Sequence, residues 1–223
     1  MNRRTVVALA ALVLSAAAHA GVSVEVGAGQ TAYHPQTDGI WYQLGQPHHL
    51  DLSGKAYMLG LTGNVWHVDR GGIAWHADYV DLGRLSAWCV CTTDDNYDYL
   101  AHRSRQASVP GGTFAGTGRA RGVQVMLEPY ITFGSVRIGY QWGYTRFEPI
   151  WRETVYAWPG PNGPLNFDVP IPQRWRTGRV SGLSIGSGRA SLVYLHYTLP
   201  SNAALPALFK GADSLMFVWR FKP

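Results

Sequence analysis

The sequence predicts an all-β protein, an eight-stranded antiparallel up-and-down transmembrane β-barrel. Three observations predict it. The chain opens on an export signal, its apolar residues recur with a period of two, and its long and short connections alternate strictly.

Arg3 and Arg4 make a positive start, and Thr5 to Ala18 is apolar and small. Ala18-His19-Ala20 fits a small-x-small cleavage site. This assigns 1-20 to a cleaved signal peptide and 21-223 to the barrel, with Gly21 the first mature residue. No later apolar run is long enough for a spanning helix. An exported chain of this kind stays soluble or enters a membrane as a closed sheet.

The composition agrees. Of 223 residues, 15% are charged, below the roughly 25% of an ordinary soluble protein. Aromatic residues make up 13%. Such a chain is neither disordered nor a coiled coil. The net charge is +5, and without Arg3 and Arg4 it is 17 − 14 = +3, too weak to argue for nucleic acid.

Eight strands follow in order. Val22 to Ala28, Tyr57 to Val65, Ile73 to Tyr79, Val123 to Thr132, Val136 to Thr145 and Leu215 to Phe221 each alternate apolar residues with small, polar or charged ones. Thr177 to Ile185 is Gly-rich, and Ala190 to Leu199 is apolar on both faces. Short turns fall at Asp69-Arg70-Gly71-Gly72, Phe133-Gly134-Ser135 and Gly186-Ser187-Gly188. Long connections span 34-54, 84-118, 147-176 and 200-212. Strict alternation puts every long loop at one end, as in bacterial outer-membrane barrels with periplasmic termini. The predicted location is therefore the cell outer membrane.

One face of each strand should meet lipid, with Trp66, Trp75, Trp142, Tyr144, Trp151 and Trp219 toward strand ends. The other face carries Glu25, Asp78, Glu128, Arg137 and Arg220, which should neutralise one another inside a narrow barrel. His76 is expected to pack with Asp78. Pro129 interrupts a strand and calls for a bulge.

The candidate chemistry lies near the C-terminus. Tyr194-Leu195-His196-Tyr197, Ser201-Asn202-Ala203 and Gly211-Ala212-Asp213-Ser214 resemble motifs of the lipid A 3-O-deacylase family, which are eight-stranded outer-membrane esterases. That family carries His-x-Ser-Asn-Ala near the end of strand seven and Gly-x-Glu-Ser twelve residues after the serine. Ser201 and Asp213 keep the twelve-residue spacing. Two departures stand out: Thr198-Leu199-Pro200 separates His196-Tyr197 from Ser201, and Asp213 replaces Glu. The resemblance covers about the last thirty residues. It implies catalysis by His196, Ser201 and Asp213, with Asn202 on the oxyanion and lipopolysaccharide (lipid A) of the outer leaflet as substrate.

The residues support that chemistry on their own terms. A hydroxyl becomes nucleophilic when an imidazole takes its proton, and an acid orients the imidazole. Residues two apart on a strand share a face, so Thr198 is the alternative nucleophile unless a bend at Pro200 returns Ser201 to His196. Asp213 has the strand parity of Leu215 and Phe217, so its carboxylate should face outward, where it needs a partner. No cofactor is implied. Cys89 and Cys91 fall short of a metal site; they lie in the longest loop as a strained disulfide, free thiols or links between chains. The rival function is a non-catalytic barrel whose long loops bind or mask a surface partner. A third is a soluble β-sandwich or lipocalin-like binder.

Overall fold

The structure is a computed structural model. It describes residues 21–35, 48–90, 97–98, 103–104, 113–158, 162–169, 175–198 and 209–221. The signal segment, Cys91, Ser201 and Asn202 lie outside the described residues.

Eight long strands close into one barrel. They are β1 (Ser23–Pro35), β2 (Ser53–Val68), β3 (Gly71–Val90), β4 (Thr113–Phe133), β5 (Val136–Trp158), β6 (Arg176–Ser187), β7 (Ala190–Thr198) and β8 (Phe209–Phe221). Each pairs antiparallel with its sequence neighbours, β6 pairs with β5, and β8 pairs with β1 to complete the circle. Closure leaves no free edge among these strands. The three short turns fall at 69–70, 134–135 and 188–189. Gly134 and Gly188 take positive φ values of 59° and 60° there, a conformation that costs glycine nothing.

The period of two becomes inside and outside. On β4, Gln124, Met126, Glu128 and Tyr130 are buried, while Val123, Val125, Leu127 and Ile131 are exposed. The same apolar exterior runs round the barrel through Leu59, Tyr79, Ile138, Tyr140, Leu183, Leu192, Leu215 and Phe217. Trp66, Phe133 and Phe221 sit toward its short-turn edge, and Tyr57, Tyr79 and Tyr144 toward the other. Trp75 lies toward the turn end of β3, level with Leu127 and Trp142 within the belt.

The interior has two layers. Toward the long-loop end, Tyr33, Leu82, Phe147, Val180, Leu195 and Tyr197 fill it; the Phe147 and Tyr197 ring centroids are 5.5 Å apart. Toward the turns it is polar. His76 bridges two carboxylates, Nδ1 to Glu25 at 2.6 Å and Nε2 to Glu128 at 2.6 Å. A ring between two acceptors serves both only when both nitrogens carry protons. Glu128 also accepts from Arg137, Gln141 and Ser184 at 3.1, 3.0 and 2.9 Å. Arg220 donates to Glu25. The predicted internal neutralisation is present, with one correction. His76 joins Glu25 and Glu128, while Asp78 accepts from Gln124 at 2.9 Å. Residues two apart on one strand lie roughly 7 Å apart, too far for direct pairing, whereas groups from facing strands meet across the lumen.

Two further corrections concern strands. Pro129 produces no bulge: β4 keeps its register through Ile73↔Pro129 on one side and from Leu127↔Trp142 to Tyr130↔Gly139 on the other. Register shifts fall instead at His34/Pro35, Asn64/Trp66, Asp81/Arg84 and Val155/Trp158. Much of the expected 84-118 and 147-176 connections is strand, because β3, β4 and β5 run on to Val90, from Thr113 and to Trp158. A short strand, His48–Asp51, pairs with the far end of β3, and Leu165–Val169 pairs with β5. Outward positions there mix Arg84, Arg119, Arg121 and Arg152 with Thr117 and the exposed Trp88 and Tyr156, so the period-two signal fades while the ladder continues.

Candidate functional site

At the long-loop edge of the apolar exterior, three neighbouring strands bring three side chains together. β8 lies between β7 and β1. Asp213 on β8 faces His196 across the β7 ladder and Ala32 across the β1 ladder. His34 is two residues beyond Ala32 and so shares its outward face. Asp213 Oδ1 is 2.7 Å from His196 Nδ1, and Oδ2 is 2.7 Å from His34 Nε2. The two rings are 5.9 Å apart. The Asp213 side chain keeps 26% of its surface exposed, His34 41% and His196 48%.

The outward direction of Asp213 and its pairing with His196 are as the sequence predicts. Thr198 is also exposed on the same face of β7, two residues on. Ser181 on β6 is paired with His196 in register; sequence reading missed it. Facing pairs place their Cβ atoms ~5 Å apart. Among the described residues no hydroxyl is hydrogen-bonded to His196. Ser201 and Asn202 lie outside the described residues, as does the expected bend at Pro200.

His34 was also missed. It lies 179 residues from Asp213 in sequence and carries no motif. Only closure of β8 on β1 makes them neighbours. The one signal was parity: His34 falls on the same alternation as Val26 and Ala28.

The arrangement has a definite chemical sense. When an acid occupies Nδ1 of an imidazole, the ring's tautomer is fixed and Nε2 is left to take a proton. Among the described residues His196 Nε2 has no partner. His34 holds the second carboxylate oxygen, so Asp213 is clamped from both sides. His34, His196 and Asp213 each also offer one metal-ligating atom, all within 4.8 Å of one another. Each histidine sits at hydrogen-bond distance from Asp213, which holds both rings in place.

No protein-family model matches this chain, and no curated protein matches it.

Proposed function

We propose that this protein is an outer-membrane barrel with esterase activity of the lipid A deacylase type. In this reading it removes the 3-linked acyl chain of lipid A from the outer leaflet. The observation that carries it is the Asp213–His196 pair, bonded through Nδ1 on the outer wall where the apolar surface ends.

The membrane reading rests on that surface. A continuous apolar belt on a soluble exterior is uncommon, whereas a closed barrel in lipid requires one. Outward apolar residues on β4 run from Val123 to Phe133. Ten steps of ~3.4 Å at a tilt of ~40° give roughly 26 Å of height, close to the ~25 Å band of outer-membrane barrels. Acyl chains would then lie along the wall that carries His196.

In the proposed reaction, His196 Nε2 accepts a proton from the nucleophilic hydroxyl, and that oxygen attacks the ester carbonyl. Asp213 holds the ring and offsets its new charge. The acyl–oxygen bond breaks, the sugar alcohol leaves with the proton, and water then releases the acyl chain from the protein. The nucleophile is Ser201 by resemblance, with Asn202 on the oxyanion, or Thr198 by strand parity. His34 positions Asp213.

The test is mass spectrometry of lipid A incubated with purified protein. Loss of one 3-linked hydroxyacyl chain is expected, abolished in His196→Ala. Ser201→Ala should abolish it and Thr198→Ala should leave most of it; the reverse makes Thr198 the nucleophile. Lipid A left unchanged by the wild-type protein refutes the esterase reading.

A further inference from the structure

We infer that the outer wall of β2 to β5, just beyond the apolar belt, binds the phosphate groups of a membrane glycolipid through Arg84, Arg119, Arg121 and Arg152. The inference rests on the membrane reading above and names the headgroup chemistry that the esterase reading leaves open.

The outward face changes character on the same rung on β3 and β4, one outward position later on β2, where Tyr57 still stands opposite Asp81, and one earlier on β5, where Arg146 stands opposite Val123. On β4 the outward series Ile131, Leu127, Val125 and Val123 gives way to Arg121 and Arg119. On β3 it changes after Tyr79, and on β2 after Tyr57, where Lys55 follows. The β3–β4 ladder aligns their two changes, with Tyr79 opposite Val123 and Asp81 opposite Arg121. Cations therefore begin where hydrocarbon would end, at the level of lipid headgroups.

A backbone device puts Arg84 there. Asp81 and Arg84 are three residues apart, so a regular strand would point them to opposite faces. The register shift between them, with Gly83 at φ 80°, turns both outward. The bulge is pinned from inside, where the buried Tyr33 hydroxyl donates to the Gly83 carbonyl at 2.8 Å. A Cβ at Gly83 would lie 2.5 Å from the Lys55 carbonyl oxygen, so the bulge accepts no other residue without movement.

The result is a cross-strand pair of like charges, since Arg84 faces Arg119 in register. Like charges directly opposite are unfavourable. Asp81 binds Arg119, and Glu148 binds Arg121 at 3.2 Å. Among the described residues Arg84 and Arg152 have no acidic partner. All four arginines line one recess of about 570 Å³; Arg84 and Arg119 also line a second of about 580 Å³ with Lys55. Guanidinium groups grip phosphate oxygens two at a time. A phosphate between Arg84 and Arg119 relieves their repulsion, and two adjacent recesses suit a headgroup with two phosphates. This wall starts one strand from His34, because Gln30 on β1 faces Lys55 on β2.

The experiment uses full-length purified protein in neutral detergent. It is titrated with bisphosphorylated lipid A and with the same lipid stripped of both phosphates, with binding read by native mass spectrometry. The phosphorylated lipid should bind at least about tenfold more tightly, and added salt should narrow the gap. Arg84→Gln combined with Arg152→Gln should erase the preference while leaving the unfolding midpoint unchanged. Equal binding of the two lipids, or a double variant that keeps the preference, overturns the inference. So does inorganic phosphate displacing the lipid at equal concentration, which would make the recess a site for soluble anions. Binding is read without hydrolysis, so an inactive esterase and an empty recess give different results.

Discussion

Glu128→Ala removes the centre of the polar layer and should be the most damaging single change in the barrel interior. Glu128 is fully buried. It takes hydrogen bonds from His76, Arg137, Gln141 and Ser184. Its loss leaves the Arg137 guanidinium and one end of the His76 ring facing an apolar methyl. Breaking a buried pair by removing one partner costs about 3–5 kcal/mol. That lowers the folded-to-unfolded ratio by roughly two to three and a half orders of magnitude. The assay is a urea titration in micelles, followed by tryptophan fluorescence and by the heat-modifiable gel mobility of folded barrels. Glu128→Gln keeps the volume and should fall between alanine and wild type. In a double-mutant cycle with Arg137→Ala, a coupling of about 0.5–3 kcal/mol is expected. An alanine variant within about 0.5 kcal/mol of wild type, with no coupling to Arg137, would refute the idea that this network holds the interior together.

Two further changes probe the same architecture from other sides. A Cβ at Gly139 would lie 2.2 Å from Glu128 Oε1, and that carboxylate is tied on several sides, so Gly139→Ala should cost about 1–3 kcal/mol; an unchanged urea midpoint would mean the carboxylate is free to move. Leu127 sits mid-way along the outward apolar series of β4, so Leu127→Arg should destabilise the barrel in bilayers by roughly 2–4 kcal/mol, while Thr117→Arg, beyond the series, should do little. Equal effects at the two positions would place the belt in water.

The eight strands and their turns were legible because one face must be apolar and the other must not, and that contrast writes a period of two into Val123 to Thr132 or Leu215 to Phe221. The internal acids and bases were legible for the same reason: Glu25, Glu128, Arg137 and Arg220 fall on the inward parity. Sequence proximity pairs His76 with Asp78, but it says nothing about which strands meet across a lumen, and the ring reaches Glu25 and Glu128 instead. The extensions of β3 to β5 read as loops in the sequence, because arginines and other polar residues break the apolar alternation of their outer faces. A proline inside a strand predicts a bulge, yet Pro129 is accommodated outward with the register intact.

The candidate site divides along the same line. His196 and Asp213 could be paired from sequence because they lie on consecutive strands of matching parity. His34 comes from the opposite end of the chain and reaches Asp213 only because β1 closes on β8. The outward turn of Arg84 belongs to a register shift that no alternation pattern announces. Local periodicity is a property of neighbours along the chain, so the chain alone settled the strands and their faces. Closure and bulges are properties of strands meeting in space, and they alone settled which distant side chains share a wall.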